Sequence, residues 1–401
     1  MSKLNTITGL DIGTSVIKIL VADKNEKGLE VVSQVKEVSS GVRKGVVFGP
    51  EDVSNIIQGL LSGIKDDLKT RIDAVHVNVD GSHLFATPSR GIVSVSRADQ
   101  KISEEDIQRV LQAAQTFSLS SNKEIFDVFP KEFIVDGQGG IKEALGLQGV
   151  RLEVEVLALG GFSPYLKNLT QAVLDSELQI LNMVPSPVAA ARACLTPKQK
   201  ELGAAVLDIG AGTAGLAVFE EGDLLHLAIL PVGSANITND IAVGLKTDID
   251  IAERIKIEYG SCLVRGGEKK EKIEIGEEEP LVFSHKFLAK IIEARISQIF
   301  GEVNKELKKI SREKLLPGGI VLTGGGAKLP QITELAKREL KLPVKLGKPK
   351  GMEGLDDDPS LAVACGLVLL GSDLEEGEAN SFSHKEGVGS KFKKIFKIFV
   401  P

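Results

Sequence analysis

The sequence predicts an α/β protein built from two duplicated halves. The tetrapeptide Leu-Asp-Ile-Gly occurs at Leu10–Gly13 and again at Leu207–Gly210, each time between two apolar runs. A third glycine cluster, Gly324–Gly326, follows the apolar run Gly-Ile-Val-Leu-Thr. Because a repeated motif indicates a repeat of structure, the two copies predict two similar strand–turn–strand units, one in each half.

The composition excludes several classes of protein. The net charge of −6, the absence of Trp and the presence of only 2 Tyr argue against a nucleic-acid partner. The 3 cysteines lie far apart without metal-ligand spacing, which predicts free thiols in a reducing compartment. The N-terminal segment shows no secretory signal, and no run reaches the roughly 20 apolar residues of a spanning helix. We therefore expect a cytosolic protein unless another segment anchors it.

The first half begins with strands on both sides of the first motif. The segment Asp52–Leu68 carries apolar residues at helical spacing, and Ala74–Val79 returns to a strand. From residue 82 to residue 161 the pattern changes to separate strands and one helix. The start of that helix, Ser103 followed three residues later by Asp106, is typical of a capping box. This stretch predicts a small inserted α+β subdomain.

The second half alternates helices with short apolar strands. Helices are predicted at Ser163–Leu174, Pro187–Leu195, Asn239–Tyr259, Phe287–Leu307, Pro330–Leu340 and Ser360–Leu370. The dense charge of Arg265–Glu279 predicts an exposed hairpin or loop. We divide the chain into a first half at 1–81, the insertion at 82–161, a second half at 162–371 that returns to the first half at its edges, a Gly-, Ser- and acid-rich flexible linker at 372–390 and a terminal helix at 391–401.

The first motif has the chemistry of a phosphate-binding loop. Gly13 lets the backbone approach phosphate oxygens, and the hydroxyls of Thr14 and Ser15 add hydrogen-bond donors. Lys18 offers a positive charge to the phosphates, and Asp11 can hold a hydrated Mg²⁺. The alternative is an ordinary β-hairpin turn, because Asp-x-Gly-Thr is a common sequence.

The second motif repeats this chemistry, and the joint occurrence favours a nucleotide site. Its candidate ligand residues are Asp208, Gly210, Ala211, Gly212 and Thr213, and Asp208 is the second candidate ligand for Mg²⁺. Gly324, Gly325 and Gly326 follow a strand, so a flat base or ribose can lie against bare backbone there. Taken alone, this third cluster is better explained by a loop that enters a helix.

The order of these three loops resembles that of the actin and heat-shock-chaperone ATPase superfamily, and within it the chain most resembles the FtsA family of bacterial cell-division proteins. The position of the insertion, directly after the first half, is similar to that of the family's own inserted subdomain. The matching segments are Ser40–Gly45, Thr238–Ala242, Ala252–Lys256 and Val321–Ala327. The resemblance implies an actin-like fold of two duplicated halves around a nucleotide cleft, with an FtsA-type inserted α+β subdomain.

The resemblance also implies ligands and partners. ATP and Mg²⁺ are the expected cofactors, and Gly233, Asn236, Glu253, Lys256 and Lys328 are added to the expected nucleotide contacts. For Glu253 and Lys256 the alternative is a charge pair on a solvated helix face. The expected partners are further copies of the chain in a filament, an anionic membrane surface, other division proteins and the C-terminal peptide of FtsZ, which docks in the family near helices that correspond to residues 240–310. The expected location is the cytoplasmic face of the cell membrane at the division site.

Two departures from the superfamily pattern predict that ATP is held rather than consumed. Gly215 stands where many relatives carry a second acid after the phosphate loop. Ser186 stands where hydrolytic relatives carry an acid or amide that positions water, and a serine is a poor substitute for a base of tuned pKa. We therefore assign no catalytic residue and expect slow hydrolysis or none, which is at most a weak ATPase.

The last residues predict a membrane anchor. Apolar side chains recur at the spacing of one helical face, and lysines lie mostly off that face, which is typical of an interfacial helix. The anchor residues are Phe392, Lys393, Lys394, Ile395, Phe396, Lys397 and Phe399. The alternative is a helix that docks on the body of the protein or on a partner protein.

Two other functions fit parts of the sequence. A pilus-assembly adaptor of the PilM type shares the inserted subdomain but lacks a basic amphipathic tail. A small-molecule kinase of the same superfamily needs a catalytic acid near its substrate, and Ser186 and Gly215 argue against one.

Overall fold

The computed structural model describes residues 5–68, 71–116, 119–264, 270–275 and 278–379. The strands are β1 (Thr6–Ile12), β2 (Val16–Asn25), β3 (Gly28–Val38), β4 (Val42–Arg43), β5 (Val46–Val47), β6 (Ala74–Val79), β7 (Phe85–Ser94), β8 (Lys123–Val135), β9 (Gln138–Ile141), β10 (Arg151–Phe162), β11 (Gln179–Pro185), β12 (Ala204–Ile209), β13 (Ala214–Glu220), β14 (Asp223–Leu230), β15 (Lys270–Ile275), β16 (Glu278–Ser284), β17 (Gly319–Thr323) and β18 (Val344–Leu346). The α-helices are α1 (Pro50–Leu68), α2 (Glu104–Gln115), α3 (Ser163–Asp175), α4 (Ser186–Cys194), α5 (Pro197–Leu202), α6 (Ser234–Leu245), α7 (Ile249–Tyr259), α8 (His285–Lys309), α9 (Ile332–Leu340) and α10 (Ala362–Ala379).

Each half contains a five-stranded sheet, and the two sheets have the same topology. The strand order is β3-β2-β1-β6-β11 in the first half and β14-β13-β12-β17-β18 in the second. In both sheets the first three strands form antiparallel pairs and the last three form parallel pairs. Because the order and directions match strand by strand, the structure confirms the duplication predicted from the repeated tetrapeptide.

The insertion forms a separate sheet with the order β7-β10-β8-β9, against which α2 packs. The predicted capping box is present, because Ser103 Oγ accepts from Asp106 N–H and Asp106 Oδ2 accepts from Ser103 N–H. The insertion has its own buried core, which includes Phe133 and Leu152. Strand β7, Phe85–Ser94, begins three residues after the predicted start of the insertion at residue 82.

Two helices cross between the halves and join them. Helix α4 follows the last strand of the first sheet but packs on β12 and β13, whereas α10 follows the second sheet but packs on β1, β2 and β6. Where the two helices meet, a Cβ built on Gly366 would lie 1.8 Å from the backbone oxygen of Ala189. A glycine is therefore required for the close approach of these helices.

The structure corrects two expectations for the second half and confirms a third. The helix predicted over Asn239–Tyr259 is two helices, α6 and α7, separated at Lys246, whose φ is +54°. Where the charged segment is described, from residue 270 onward, it forms the hairpin β15–β16, which agrees with the predicted hairpin or loop. Helix α10 extends to Ala379, so the segment predicted as a linker at 372–390 begins as a helix, because its apolar residues pack on the first sheet. Within the described ranges, no helix is both long and apolar enough to span a membrane.

Substitution of Gly366 tests the helix crossing. We expect Gly366→Ala to lower the free energy of unfolding by about 1–3 kcal/mol, because an added methyl group forces the helices apart. Gly301 lies in the middle of α8, and a Cβ built on it meets nothing within 4 Å. Gly301→Ala is the matched control and is expected to be neutral or to stabilise by up to about 1 kcal/mol. Thermal melting of both variants against the unsubstituted chain makes the comparison, and equal melting temperatures for both variants contradict the prediction.

Candidate functional site

The two Leu-Asp-Ile-Gly motifs form equivalent hairpin turns whose tips touch. In the first turn the N–H of Gly13 donates to the oxygen of Val16 at 3.2 Å, and in the second Gly210 donates to Thr213 at 2.9 Å. A Cβ built on Gly212 would lie 2.6 Å from Thr14 Oγ1. Only glycine at position 212 lets the two loops approach this closely.

A third segment closes the contact between the two turns. The hairpin β4–β5 places Lys44 in the left-handed region, with φ at +48°. The Cα of Lys44 would lie 2.9 Å from a Cβ on Gly212, and the N–H of Gly45 donates to Thr14 Oγ1 at 2.9 Å. The segment Ser40–Gly45, which resembles FtsA in sequence, therefore packs against both loops.

Between the halves lies a cleft of about 870 Å³, a volume typical of small-molecule sites. The predicted site residues that line it are Asp11, Gly13, Thr14, Ser15, Lys18, Asp208, Gly210, Ala211, Thr213, Glu253, Lys256, Gly324, Gly325, Gly326 and Lys328. Residues from both halves, far apart in sequence, thus converge on one concave site.

Three predicted contacts lie beside the cleft rather than in its lining. Gly212 packs against Thr14 and Lys44 where the two loop tips touch. A Cβ built on Gly233 would lie 2.5 Å from the oxygen of Ala211, and the N–H of Gly233 donates to Asn236 Oδ1 at 3.0 Å. Gly233 and Asn236 therefore anchor the start of α6 against the second loop, and direct contact of these residues with a nucleotide stays a prediction.

The two motif acids differ in what lies opposite them in the hairpin. Asp11 pairs with Lys18, whose Nζ lies 2.7 Å from Asp11 Oδ2. Burial lowers the pKa of Lys18, but the Asp11 carboxylate more than offsets this effect and the pKa is raised. Asp208 pairs instead with Gly215, which brings no counter-charge. Burial raises the pKa of Asp208 to about 7, and the nearby charge of Asp11 adds to the rise.

The glycine cluster forms another part of the cleft lining. Gly324 has a φ of +85°, and a Cβ on it would lie 2.5 Å from the oxygen of Ile209 and 2.8 Å from Asp208 Oδ1. The position of Gly325 is open, with no atom within 4 Å of a built Cβ. The cluster therefore packs against the second phosphate loop and leaves bare backbone facing the cleft. Lys328 ends this segment and forms an ion pair with Asp358 at 2.9 Å.

Helix α7 contributes a buried lysine. Lys256 Nζ lies 2.6 Å from Glu253 Oε2 and donates to Thr238 Oγ1 at 2.9 Å and to the oxygen of Ser234 at 3.3 Å. Lys256 is buried, so its place is not the solvated helix face that the sequence left open as an alternative. The lysine ties α7 to α6 at the wall of the cleft.

The sequence prediction missed two polar residues of the cleft, Asn78, which is buried, and Asp80, which is half-buried. The N–H of Ile12 donates to Asn78 Oδ1 at 2.7 Å, and Asn78 Nδ2 donates to Ser186 Oγ at 3.0 Å. Thr213 Oγ1 donates to Asp80 Oδ2 at 2.8 Å. The available signal was Asp80-Gly81 directly after an apolar strand, which is the pattern of the two motifs without their leucine and isoleucine.

The donor set of the cleft suits a magnesium ion bound partly through water. In the described parts of the chain, no group of three or more His, Cys, Asp or Glu side chains is arranged to hold a metal. Mg²⁺ commonly takes one or two carboxylates and fills its other positions with water and phosphate oxygens. Asp11 and Asp208, both buried and both in the lining, fit that requirement. The predicted membrane residues, 392–399, lie outside the described residues.

Solved structures share this fold. A chain of the PilM–PilN type IV pilus biogenesis complex superposes with a TM-score of 0.65 at 19% identity, covering 91% of this chain and 98% of that chain. MreB5 of Spiroplasma citri, solved with bound ADP, gives a TM-score of 0.58 at 14% identity and covers 94% and 98%. At these identities the likeness concerns the fold alone, which is the predicted actin-like fold.

Sequence comparisons extend over nearly the whole chain. The family profile "Cell division protein FtsA" matches residues 205–366, and "SHS2 domain inserted in FTSA" matches residues 81–159. Cell division protein FtsA of Pseudomonas aeruginosa is 35% identical over 91% of this chain and 89% of its own length, and that of Bacillus subtilis is 33% identical over 92% and 84%. The chain therefore belongs to the FtsA family of cell-division proteins, with an actin-like fold and the inserted subdomain of that family.

Proposed function

We propose that this chain binds ATP with Mg²⁺, polymerises, and tethers the FtsZ ring to the cytoplasmic face of the membrane at the division site. Its family gives it a role in cell division. The observation that carries the nucleotide proposal is the convergence of two acid–glycine loops and the glycine cluster on one cleft of about 870 Å³. Of the three functions left open by the sequence, family membership favours this one over a pilus-assembly adaptor or a kinase.

The geometry supports an orientation for the nucleotide. The phosphates belong where the two loop tips meet, because Gly13, Thr14 and Ser15 face Gly210 and Ala211 across the cleft. The base and ribose belong at the other end, between the open backbone of Gly325 and the side chains of α7. Mg²⁺, held through Asp11 and Asp208, would neutralise the charge of the phosphates.

Slow hydrolysis is supported by the packing at the two departures from the superfamily pattern. A Cβ on Gly215 would lie 3.1 Å from Pro187 Cγ and Cδ and 3.3 Å from Ile229 Cδ1, so any side chain there requires these neighbours to shift by a few tenths of an ångström. Ser186 is buried and accepts a hydrogen bond from Asn78. Neither position supplies a base beside the phosphate end of the cleft.

A partner surface for FtsZ is supported by exposed apolar side chains on the second half. Val243 on α6 and Phe287 on α8 are 79% and 46% exposed. A Cβ on Gly244 would lie 3.7 Å from Phe287 Cε1, which places α6 beside α8. This group lies within residues 240–310, where the family resemblance places the FtsZ peptide, and a short amphipathic peptide can dock on such a surface.

Membrane attachment is proposed through the terminal segment 391–401. Burial of four large apolar side chains contributes at most about 6–12 kcal/mol, and each lysine adds about 1 kcal/mol at an anionic surface. Ordering ten residues costs about 10–20 kcal/mol of backbone entropy, so one tail binds weakly. Many tails on one polymer bind tightly through avidity, which links membrane binding to self-assembly.

Asp208→Asn is expected to weaken ATP binding while it stabilises the folded protein. We expect at least tenfold weaker binding of ATP in the presence of Mg²⁺, because a carboxylate ligand is lost. The pKa of Asp208 is raised to about 7, so the folded state binds a proton more readily than the unfolded state and stability is lost as pH rises from about 4 to 7. The variant is therefore expected to be more stable, on the order of 2 kcal/mol at pH 8 and less at pH 5. Calorimetric titration and thermal melting measure the two effects, and wild-type affinity contradicts the assigned role.

Deletion of residues 391–401 tests the anchor. The truncated protein is expected to stay in solution when it is spun with liposomes that contain anionic lipid, while its ATP binding is retained, because the cleft lies elsewhere in the chain. Liposomes of neutral lipid alone serve as the control for charge. Sedimentation of the truncated protein at the level of the full chain rules out this anchor.

A pull-down on an immobilised FtsZ C-terminal peptide from the same organism tests the partner. The full chain is expected to bind, and Val243→Asp is expected to reduce retention by tenfold or more, because a charge enters an apolar contact. Leu174 on α3 is 52% exposed in the first half, so Leu174→Asp is the matched control that retains binding. Absence of binding by the unsubstituted chain, with its fold intact, refutes the tethering role.

A further inference from the structure

Asp80 joins the two halves at the phosphate end of the cleft. It follows β6 in the first half, and its Oδ2 accepts from Thr213 Oγ1 of the second phosphate loop at 2.8 Å. Its Oδ1 accepts from the N–H of Gly81 at 2.7 Å. A Cβ on Gly45 would lie 2.9 Å from Asp80 Cγ, so the carboxylate is packed from behind and faces the cleft that it lines.

Four other carboxylates that line the cleft have either a counter-charge or the proposed role of holding Mg²⁺. Asp11 is paired with Lys18, and Asp11 and Asp208 are the proposed ligands of Mg²⁺. Glu253 is bound by Lys256, and Asp358 is bound by Lys328, both at the end formed by the glycine cluster. Asp80 instead accepts from uncharged donors, and a carboxylate has lone pairs for further hydrogen bonds.

Asp80 lies near position 186, where this chain has a serine and hydrolytic relatives carry an acid or amide. Ser186 lines the same cleft, and Asn78, two residues before Asp80, donates to its hydroxyl. The chain therefore brings a carboxylate to the phosphate end from β6, although the start of α4 supplies only a serine. Burial raises the pKa of Asp80 to about 6, which keeps the group mostly ionised at neutral pH and more basic than an ordinary aspartate.

We propose that Asp80 is the residue that holds and deprotonates the attacking water in a slow hydrolysis of a bound nucleoside triphosphate. The inference rests on the proposed nucleotide binding. The water oxygen forms a bond to the terminal phosphorus, and the bond from that phosphorus to the bridging oxygen breaks, with its electron pair leaving on the nucleoside diphosphate. The proton of the water passes to the Asp80 carboxylate and then to the released phosphate or to solvent. The hydrogen bond from Thr213 fixes the carboxylate in place for this step.

Asp80→Asn tests the inference by two opposite effects. In single-turnover hydrolysis with saturating protein and Mg²⁺, the rate is expected to fall by tenfold or more, because the amide cannot take a proton. Affinity for a non-hydrolysable ATP analogue is expected to rise twofold to tenfold, with ADP affinity unchanged, because a like charge beside the terminal phosphate is removed. A merely structural role for Asp80 predicts weaker binding of both nucleotides.

Asp127→Asn is the matched control. Burial raises the pKa of Asp127 to about 7, and its Oδ1 accepts from the N–H of the next residue, as that of Asp80 does, but it lies on β8 of the insertion and does not line the cleft. This variant is expected to keep both the rate and the affinities of the unsubstituted chain.

The outcomes separate this inference from the proposed function. An unchanged rate in Asp80→Asn, weaker binding of both nucleotides, or an unsubstituted chain that binds ATP without cleaving it each overturns the role of Asp80 and leaves nucleotide binding intact. An unsubstituted chain that fails to bind ATP overturns both. Multiple-turnover phosphate release at ordinary enzyme rates that Asp80→Asn abolishes supports the role of Asp80 and contradicts slow hydrolysis.

Discussion

The close crossing of α4 and α10 is the constraint on which the rest of the structure depends. Each helix leaves one sheet and packs on the other, so the contact at Gly366 and Ala189 sets the spacing of the two halves. That spacing brings the turns at the ends of β1 and β12 close enough for Gly212 to touch Thr14. A larger separation opens the cleft, because packed helices transmit such a displacement rigidly.

Duplication gave the two loops one backbone geometry, but their charges differ. The hairpin registers make Lys18 and Gly215 equivalent positions, since each lies opposite the acid of its own motif. The first acid therefore has an internal counter-ion, whereas the second is buried without one and has a raised pKa. Asp208 accepts a hydrogen bond from the neutral Thr323 hydroxyl but faces no cation in its own hairpin, so under the proposed function it is the acid that gains most from a bound Mg²⁺.

Local signals predicted local features well. The capping box at Ser103 depends on residues three positions apart, and the helical spacing of Asp52–Leu68 depends on one face of a single helix. Predictions failed where distant packing decided the outcome. The break at Lys246 lies within an apparently helical pattern, and α10 continues past residue 371 because its apolar face meets the first sheet.

The sequence by itself determined the repeated loops, the glycine cluster and the family, because these are carried by contiguous residues with recognisable chemistry. Only the tertiary structure decided which residues share the cleft. It places Gly212 against Thr14 and Gly233 against Ala211, and it brings Asp80 into contact with Thr213 across the two halves. The physical reason is that a side chain's neighbours and its pKa depend on burial and on charges from segments more than a hundred residues away, which the order of residues does not express.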